Sequence, residues 1–313
     1  MAVWRHKHLL GLADLTAEEI ELVLSLAGPC KEIFGREIKK LPTLRGKTVI
    51  TLFFEPSTRT RTSFEVAAKW LGADVVNLSV AQSSVAKGES FIDTAKTVEA
   101  AGADVIVVRH AIAGAAKLLA ETVRCSVINA GDGAHEHPTQ GLLDLYTIKE
   151  RKGGFHGLRV VIVGDIMHSR VARSDIWGLT KLGAKVTVVG PPTLMPPGIE
   201  TLGVEVAYEL DAALARADGV NVLRLQLERQ KKGLFPSVRE YARLYGMNAE
   251  RARRLPPDAL IMHPGPTNLG VEITEEAACD PRAVITTQVS NGVAVRMALL
   301  YLLAGGKEDG LLS

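Results

Sequence analysis

The chain has 313 residues, 47% of them hydrophobic, which is enough to bury one large core or two ordinary ones. A formal net charge of only +2 removes the electrostatic case for a nucleic-acid or membrane surface, and no apolar run approaches the roughly 20 residues that span a bilayer. Cys30, Cys125 and Cys279 form no C-x-x-C pair, and the amino terminus lacks an apolar signal core, so a zinc cluster or disulfide framework is disfavoured and a soluble cytoplasmic protein is expected.

In chain order, Thr16 and Glu19 form a capping box, with Leu15 and Ile20 placed as a hydrophobic staple. They predict a helix over 17–27. Apolar runs at 49–54, 75–78, 105–108 and 127–129 then read as short buried strands, with helical stretches such as 90–101 and 113–122 between them. The rhythm resumes at 159–163, 185–189, 219–223 and 260–262. This alternation predicts the α/β class: two doubly wound parallel-sheet domains with helices on both faces. The polar, glycine-bearing stretch Glu150-Arg151-Lys152-Gly153-Gly154 is placed between the two sheets. Residues 289–304, apolar at helical spacing, either close the second domain or cross back onto the first. The basic run Arg229-Gln230-Lys231-Lys232-Gly233 is most simply a solvated loop.

The most informative stretch is Phe53-Phe54-Glu55-Pro56-Ser57-Thr58-Arg59-Thr60-Arg61-Thr62-Ser63-Phe64-Glu65. Pro56 breaks the strand. Phe64, Ala67, Ala68 and Leu71 then repeat at helical spacing until Gly72. Ser57 to Thr60 therefore sit where a strand hands over to a helix. Free backbone N–H groups and the positive dipole end favour an anion there. The hydroxyls add donors, and Arg59 adds a planar fork matched to a phosphate.

Other candidates also lie at strand ends, where open parallel sheets bind ligands. Arg109 follows the run at 105–108. His137 and Gln140 flank a helix start at Pro138, and both could face one small ligand; the plainer alternative is a capped helix with incidental polar residues. A metal reading through His135, His137 and Asp132 lacks a spaced acid–histidine set elsewhere to complete it. At Gly164–Arg170 a second strand-to-helix junction lacks both G-x-G-x-x-G and the Gly-Lys-Ser/Thr phosphate loop. Arg170 opposes the helix dipole there, which suits a ligand better than the helix, although a surface arginine is the even alternative. Arg224 and Gln226 share a face if the chain past 219–223 stays extended. His263-Pro264-Gly265-Pro266 is a stiff loop able to offer carbonyls to an amino or amide group, or simply a turn. The polar loop Gln82-Ser83-Ser84-Val85-Ala86-Lys87-Gly88-Glu89, taken alone, reads as solvated.

Together these motifs resemble the aspartate/ornithine carbamoyltransferase family, in order and over nearly the whole chain. The Ser57-Thr58-Arg59-Thr60-Arg61 core is the most specific piece. The resemblance implies a carbamoyl phosphate-binding domain over 1–145, completed by a C-terminal helix over 288–313 that packs back on it, and an aspartate-binding domain over 146–287. It also implies a homotrimer with shared active sites, in which Ser83 and Lys87 reach a neighbouring subunit. The implied reaction moves the carbamoyl group of carbamoyl phosphate to the amino group of L-aspartate, a step of pyrimidine synthesis.

By the same resemblance, Ser57, Thr58, Arg59, Thr60 and Arg109 hold the phosphate. Thr60, Arg109 and His137 donate to the carbonyl oxygen. Gln140 and the carbonyls of Pro264, Gly265 and Pro266 accept from the carbamoyl NH2. Arg170, Arg224, Gln226 and the neighbour's Lys87 bind the two aspartate carboxylates. No metal, cofactor or covalent nucleophile is required.

The resemblance also favours L-aspartate over ornithine: ornithine enzymes of the family usually carry a cysteine in the loop at 263–266, which holds none here, Cys279 lies well away, and Lys87 and Arg224 suit a dicarboxylic acid. Leu269 stands where many relatives carry arginine. The rival readings are a transferase for ornithine or another amine, and a catalytically silent subunit. Regulatory chains or another pyrimidine-pathway enzyme as partners are left open.

Overall fold

Apolar runs without polar alternation are what strands buried on both faces require, and the inner runs at 105–108 and 160–163 obey that rule. The computed structural model describes residues 3–79, 90–226 and 237–305. The chain divides into two units, Met1–Tyr146 with Val289–Ser313, and Thr147–Gln288. Among the described residues, every pairing between strands is parallel.

The first unit runs α1 (Ala17–Glu32), β1 (Thr48–Phe53), α2 (Thr58–Trp70), β2 (Asp74–Ser79), α3 (Phe91–Ala100), β3 (Val105–His110), α4 (Ala115–Thr122), β4 (Ser126–Asp132) and the start of α5 (Pro138–Lys152). Its four strands lie in the order β2-β1-β3-β4. Ile50, Leu52, Ile106, Val108 and Val127 pack against Ala95, Val98 and Leu119 of the helices.

The second unit contains β5 (Arg159–Val163), α6 (Arg170–Lys181), β6 (Lys185–Val189), β7 (Glu205–Ala207), α7 (Leu210–Leu214), β8 (Gly219–Val222), α8 (Val238–Tyr245), α9 (Ala249–Arg254), β9 (Leu260–Met262) and α10 (Glu275–Ala278). Its sheet order is β7-β6-β5-β8-β9. Val161, Val163, Val220, Val222 and Ile261 form the core with Tyr241 and Leu255.

The last helix, α11 (Ile285–Leu303), contributes residues 289–303 to the first unit. It packs there: Ser126 Oγ donates to the Leu303 carbonyl at 2.8 Å. No helix among the described residues is long and apolar enough to cross a membrane.

Several elements differ from the sequence expectation. Helix α1 runs through Pro29 to Glu32 instead of stopping at 27, because Cys30 and Ile33 continue its buried face. Glu150 to Lys152 form the last turn of α5, and only Gly153, at φ 78°, turns the chain. Strand β7 has no apolar signature and pairs at the sheet edge. Helix α11 starts four residues before 289.

The three cysteines lie in different settings. Burial pushes the Cys30 thiol up to about 12. Burial, aided by the charge of Glu99, pushes Cys125 up to about 11. Cys279 is exposed.

The capping box is present, with Glu19 N–H donating to Thr16 Oγ1 at 3.2 Å and Thr16 N–H to Glu19 Oε2 at 2.9 Å. Thr16→Ala removes the hydroxyl that accepts from Glu19 N–H and is expected to cost about 1 kcal/mol, roughly 2–4 °C in Tm, by scanning calorimetry.

Candidate active site

In the first sheet the chain leaves β1 toward β2 on one side, while β3 lies on the other. That makes the carboxyl ends of β1 and β3 a topological switch point, where a crevice opens outside the sheet. Ser57 to Thr60 leave β1 at this point. Ser57 is the N-cap of α2, at φ −160° and ψ 86°, but its hydroxyl makes no cap hydrogen bond, and the first turn holds no acidic residue. The first-turn N–H groups are thus left for an incoming anion. Thr58 and Arg59 are exposed and Thr60 is 7% exposed.

Arg109 is paired with Phe53 in the β1–β3 register, and its carbonyl accepts from Phe54 N–H at 2.9 Å. The pairing sets Arg109 at the same sheet edge from which the 57–60 turn departs. Arg109 Nη1 donates to the Ala130 carbonyl at 3.2 Å, and Nε lies 3.5 Å from Glu55 Oε2.

Strand β4 delivers the third part. His137 is 4% exposed, and its carbonyl accepts from the N–H groups of Gln140 (2.9 Å) and Gly141 (3.1 Å), which starts α5. Gln140 Nε2 donates to Asp144 at 3.2 and 3.3 Å. The preceding loop is fixed by two buried carboxylates. Asp132 accepts from Asn129 Nδ2, Gly114 N–H and Glu136 N–H, and His135 Nδ1 lies 3.1 Å away. Glu136 accepts from the backbone N–H groups of Leu12 and Ala13. Among the described residues no group of three or more His, Cys, Asp or Glu is arranged to hold a metal.

In the second sheet the switch point lies between β5 and β8, whose ends are in register at Val163 and Val222. Gly164 leaves β5 at φ 140°, and a Cβ there would sit 2.9 Å from Leu223 Cβ, so this close approach needs glycine. Asp165 accepts from His168 N–H at 3.1 Å, and Ser169 caps α6 through Ala172 N–H at 3.1 Å. Arg170 is the first residue of α6 and is buried.

Past β8, Leu223 and Leu225 are buried while Arg224 and Gln226 are half-buried, the alternation of an extended segment. Asn221 Nδ2 donates to Asp175 Oδ2 at 2.6 Å, tying the strand before Arg224 to the helix that begins with Arg170.

Pro264, Gly265 and Pro266 follow β9, beside β8. Their loop is braced by side chains. Gly265 N–H donates to His263 Nδ1 at 2.8 Å, so the ring proton is on Nε2, which faces Glu272 Oε1 at 3.2 Å. Glu272 also accepts from Asn268 N–H (2.5 Å) and Nδ2 (3.1 Å), and Asn268 Nδ2 donates to the Leu225 carbonyl at 3.0 Å.

Each unit therefore gathers its own candidates at one crevice or on the strand next to it. Ser83 and Lys87 lie outside the described residues. Sequence reasoning missed Glu55, Asp144, Glu272 and Arg296. Asp144 carried a usable signal, as a charge on the otherwise apolar helical run Leu142-Leu143-Asp144-Leu145.

Two family models match the chain: aspartate/ornithine carbamoyltransferase, carbamoyl-P binding domain, over residues 7–150, and aspartate/ornithine carbamoyltransferase, Asp/Orn binding domain, over 156–303. The aspartate carbamoyltransferase catalytic subunit of Moorella thermoacetica is 64% identical over 302 residues, 96% of this chain and 98% of that protein. The corresponding subunit of Heliobacterium modesticaldum is 62% identical over 307 residues, 98% of each. Among solved structures, aspartate transcarbamoylase from Trypanosoma cruzi in complex with N-(phosphonacetyl)-L-aspartic acid superposes with a TM-score of 0.86 at 31% identity, over 95% of both chains. Ornithine carbamoyltransferase from Pyrococcus furiosus gives 0.84 at 31% identity, over 96% of this chain and 97% of that one.

Burial alone would raise the Asp132 carboxyl, but the donors from His135, Asn129 and Gly114 outweigh it and hold the group below the ordinary aspartate value. A depressed folded-state value gives stability that is present above about pH 4 and is lost as pH falls through that lower value. Asp132→Asn is expected to lower Tm at pH 7, with the gap to the parent closing below about pH 4; a gap independent of pH would show that Asp132 does not titrate on unfolding.

Proposed function

The chain belongs to the aspartate/ornithine carbamoyltransferase family, and we propose that it transfers the carbamoyl group of carbamoyl phosphate to the α-amino group of L-aspartate, giving N-carbamoyl-L-aspartate and phosphate. It is a carbamoyl-group transferase. The observation that carries the donor substrate is the uncapped first turn of α2, with Arg109 at the same sheet edge, which suits an anion. The acceptor follows from near-full-length identity of 62–64% to aspartate carbamoyltransferase catalytic subunits. Backbone similarity does not choose the acceptor, since aspartate and ornithine enzymes superpose about equally well.

In this reading Ser57, Thr58, Arg59, Thr60 and Arg109 bind the phosphate. Thr60, Arg109 and His137 donate to the carbonyl oxygen, which gains negative charge as nitrogen attacks. Gln140 and the carbonyls of Pro264, Gly265 and Pro266 accept from the carbamoyl NH2. Arg170, Arg224 and Gln226 bind the aspartate carboxylates, joined by Lys87 of a neighbouring subunit in a homotrimer; Ser83 belongs to the same loop. The C–N bond forms as the C–O bond to phosphate breaks, and the departing phosphate takes the amine proton. Ordering two small substrates removes much of the entropic barrier. A cytoplasmic setting fits the demand for this product in pyrimidine synthesis.

Incubation with carbamoyl phosphate and either L-aspartate or L-ornithine is expected to give carbamoylated product with aspartate alone. Product with ornithine would overturn the roles given to Arg224 and Gln226.

Separately purified Arg59→Ala and Lys87→Ala proteins are expected to be nearly inactive, and to recover part of the activity after mixing and subunit exchange. No recovery despite demonstrated exchange would remove Lys87 from the neighbour's site.

A further inference from the structure

A guanidinium sits in the interior of the first unit. Arg296 of α11 is 3% exposed. Its Nη1 donates to Ser63 Oγ of α2 at 2.8 Å, and its Nη2 to Thr139 Oγ1 of α5 at 3.4 Å. The guanidinium carbon lies 5.2 Å from the Phe64 ring centroid, over its face. Space for it is made by Gly292, one turn earlier, where a Cβ would come within 2.5 Å of Nη1. One side chain thus touches both helices whose amino ends carry the proposed carbamoyl phosphate residues.

The charge also has an anionic neighbour. Burial pulls Arg296 down to about 10 and the Asp144 carboxylate opposes that shift, so at neutral pH a cation stands near Asp144. Asp144 is itself 2% exposed and accepts from Gln140 Nε2. An ionised carboxylate only accepts, so it can face only the NH2 end of the Gln140 amide. The amide oxygen must then point away from Asp144. A protonated Asp144 could instead donate to that oxygen and turn the amide over.

We propose that Asp144 is a positioning residue that fixes the amide of Gln140 with its oxygen free to accept from the carbamoyl NH2. The pair selects a substrate bearing NH2 over one bearing CH3 at the same carbon. This rests on the role proposed for Gln140, and the test separates the two.

Binding of carbamoyl phosphate and of acetyl phosphate, its methyl counterpart, is measured by calorimetry on the full-length protein and on Gln140→Met and Asp144→Asn. Both variants are expected to lose about tenfold in carbamoyl phosphate affinity, the scale of one hydrogen bond, and less than about twofold for acetyl phosphate. If Gln140→Met loses the preference but Asp144→Asn keeps it, the inference fails and the role of Gln140 stands. If Gln140→Met keeps the preference, the role of Gln140 fails and the inference with it. Equal losses for both probes in Asp144→Asn would mark a purely structural residue and overturn the proposal. Should Asp144→Asn not fold, Asp144→Asn/Arg296→Met removes both charges together, and the same two affinities decide in the same way.

Discussion

In a parallel sheet every strand delivers its carboxyl end to the same edge, and the helix that follows presents its amino end nearby. This constraint organises each unit of the chain. Helix dipoles and unpaired N–H groups accumulate at one edge, and the reversal of strand order, between β1 and β3 or between β5 and β8, opens a gap there. The anion site of the first unit needs little more than an N-cap that does not cap. A separate concavity of about 850 Å3 lies at the opposite edge, around Lys47, Asp104, Arg124 and Ser126. It holds the paired Lys47 and Asp104.

The loops at these edges carry the chemistry, and buried polar groups hold them. Asp132 and Glu136 fix the turn before His137, Asp144 and Arg296 lie behind α2 and α5, and Glu272 braces the turn after β9. Groups of this kind cost free energy to bury and return it only when their partners are in place. An apolar replacement of similar volume could serve stability as well. What it could not do is fix the direction of an amide or an imidazole proton, as Asp144 does for Gln140 and as Gly265 and Glu272 do for His263.

The strands were legible because burial on both faces writes them as unbroken apolar runs, and 159–163, 185–189 and 260–262 match their observed limits. Edge strand β7 lacked that signature because only part of it is covered. The helix expected over 17–27 continues through Pro29, because the burial of Cys30 and Ile33 outweighs the lost hydrogen bond. Phosphate-type residues stood out because their pattern is local: a strand end, a breaker, hydroxyls and arginines within a few positions. Arg296 was illegible for the opposite reason. Its partner Ser63 is 233 positions away, so its role exists only once the chain has folded.

The cysteines show a practical side of the same burial. With Cys30 and Cys125 held protonated far above neutral pH, almost none of either is thiolate under ordinary conditions. Exposed Cys279, next to α10 in the second unit, is the thiol that a maleimide would find first. The native chain thus carries a ready attachment point for a fluorophore or spin label, and substrate-dependent changes around the second unit can be followed without engineering a new cysteine.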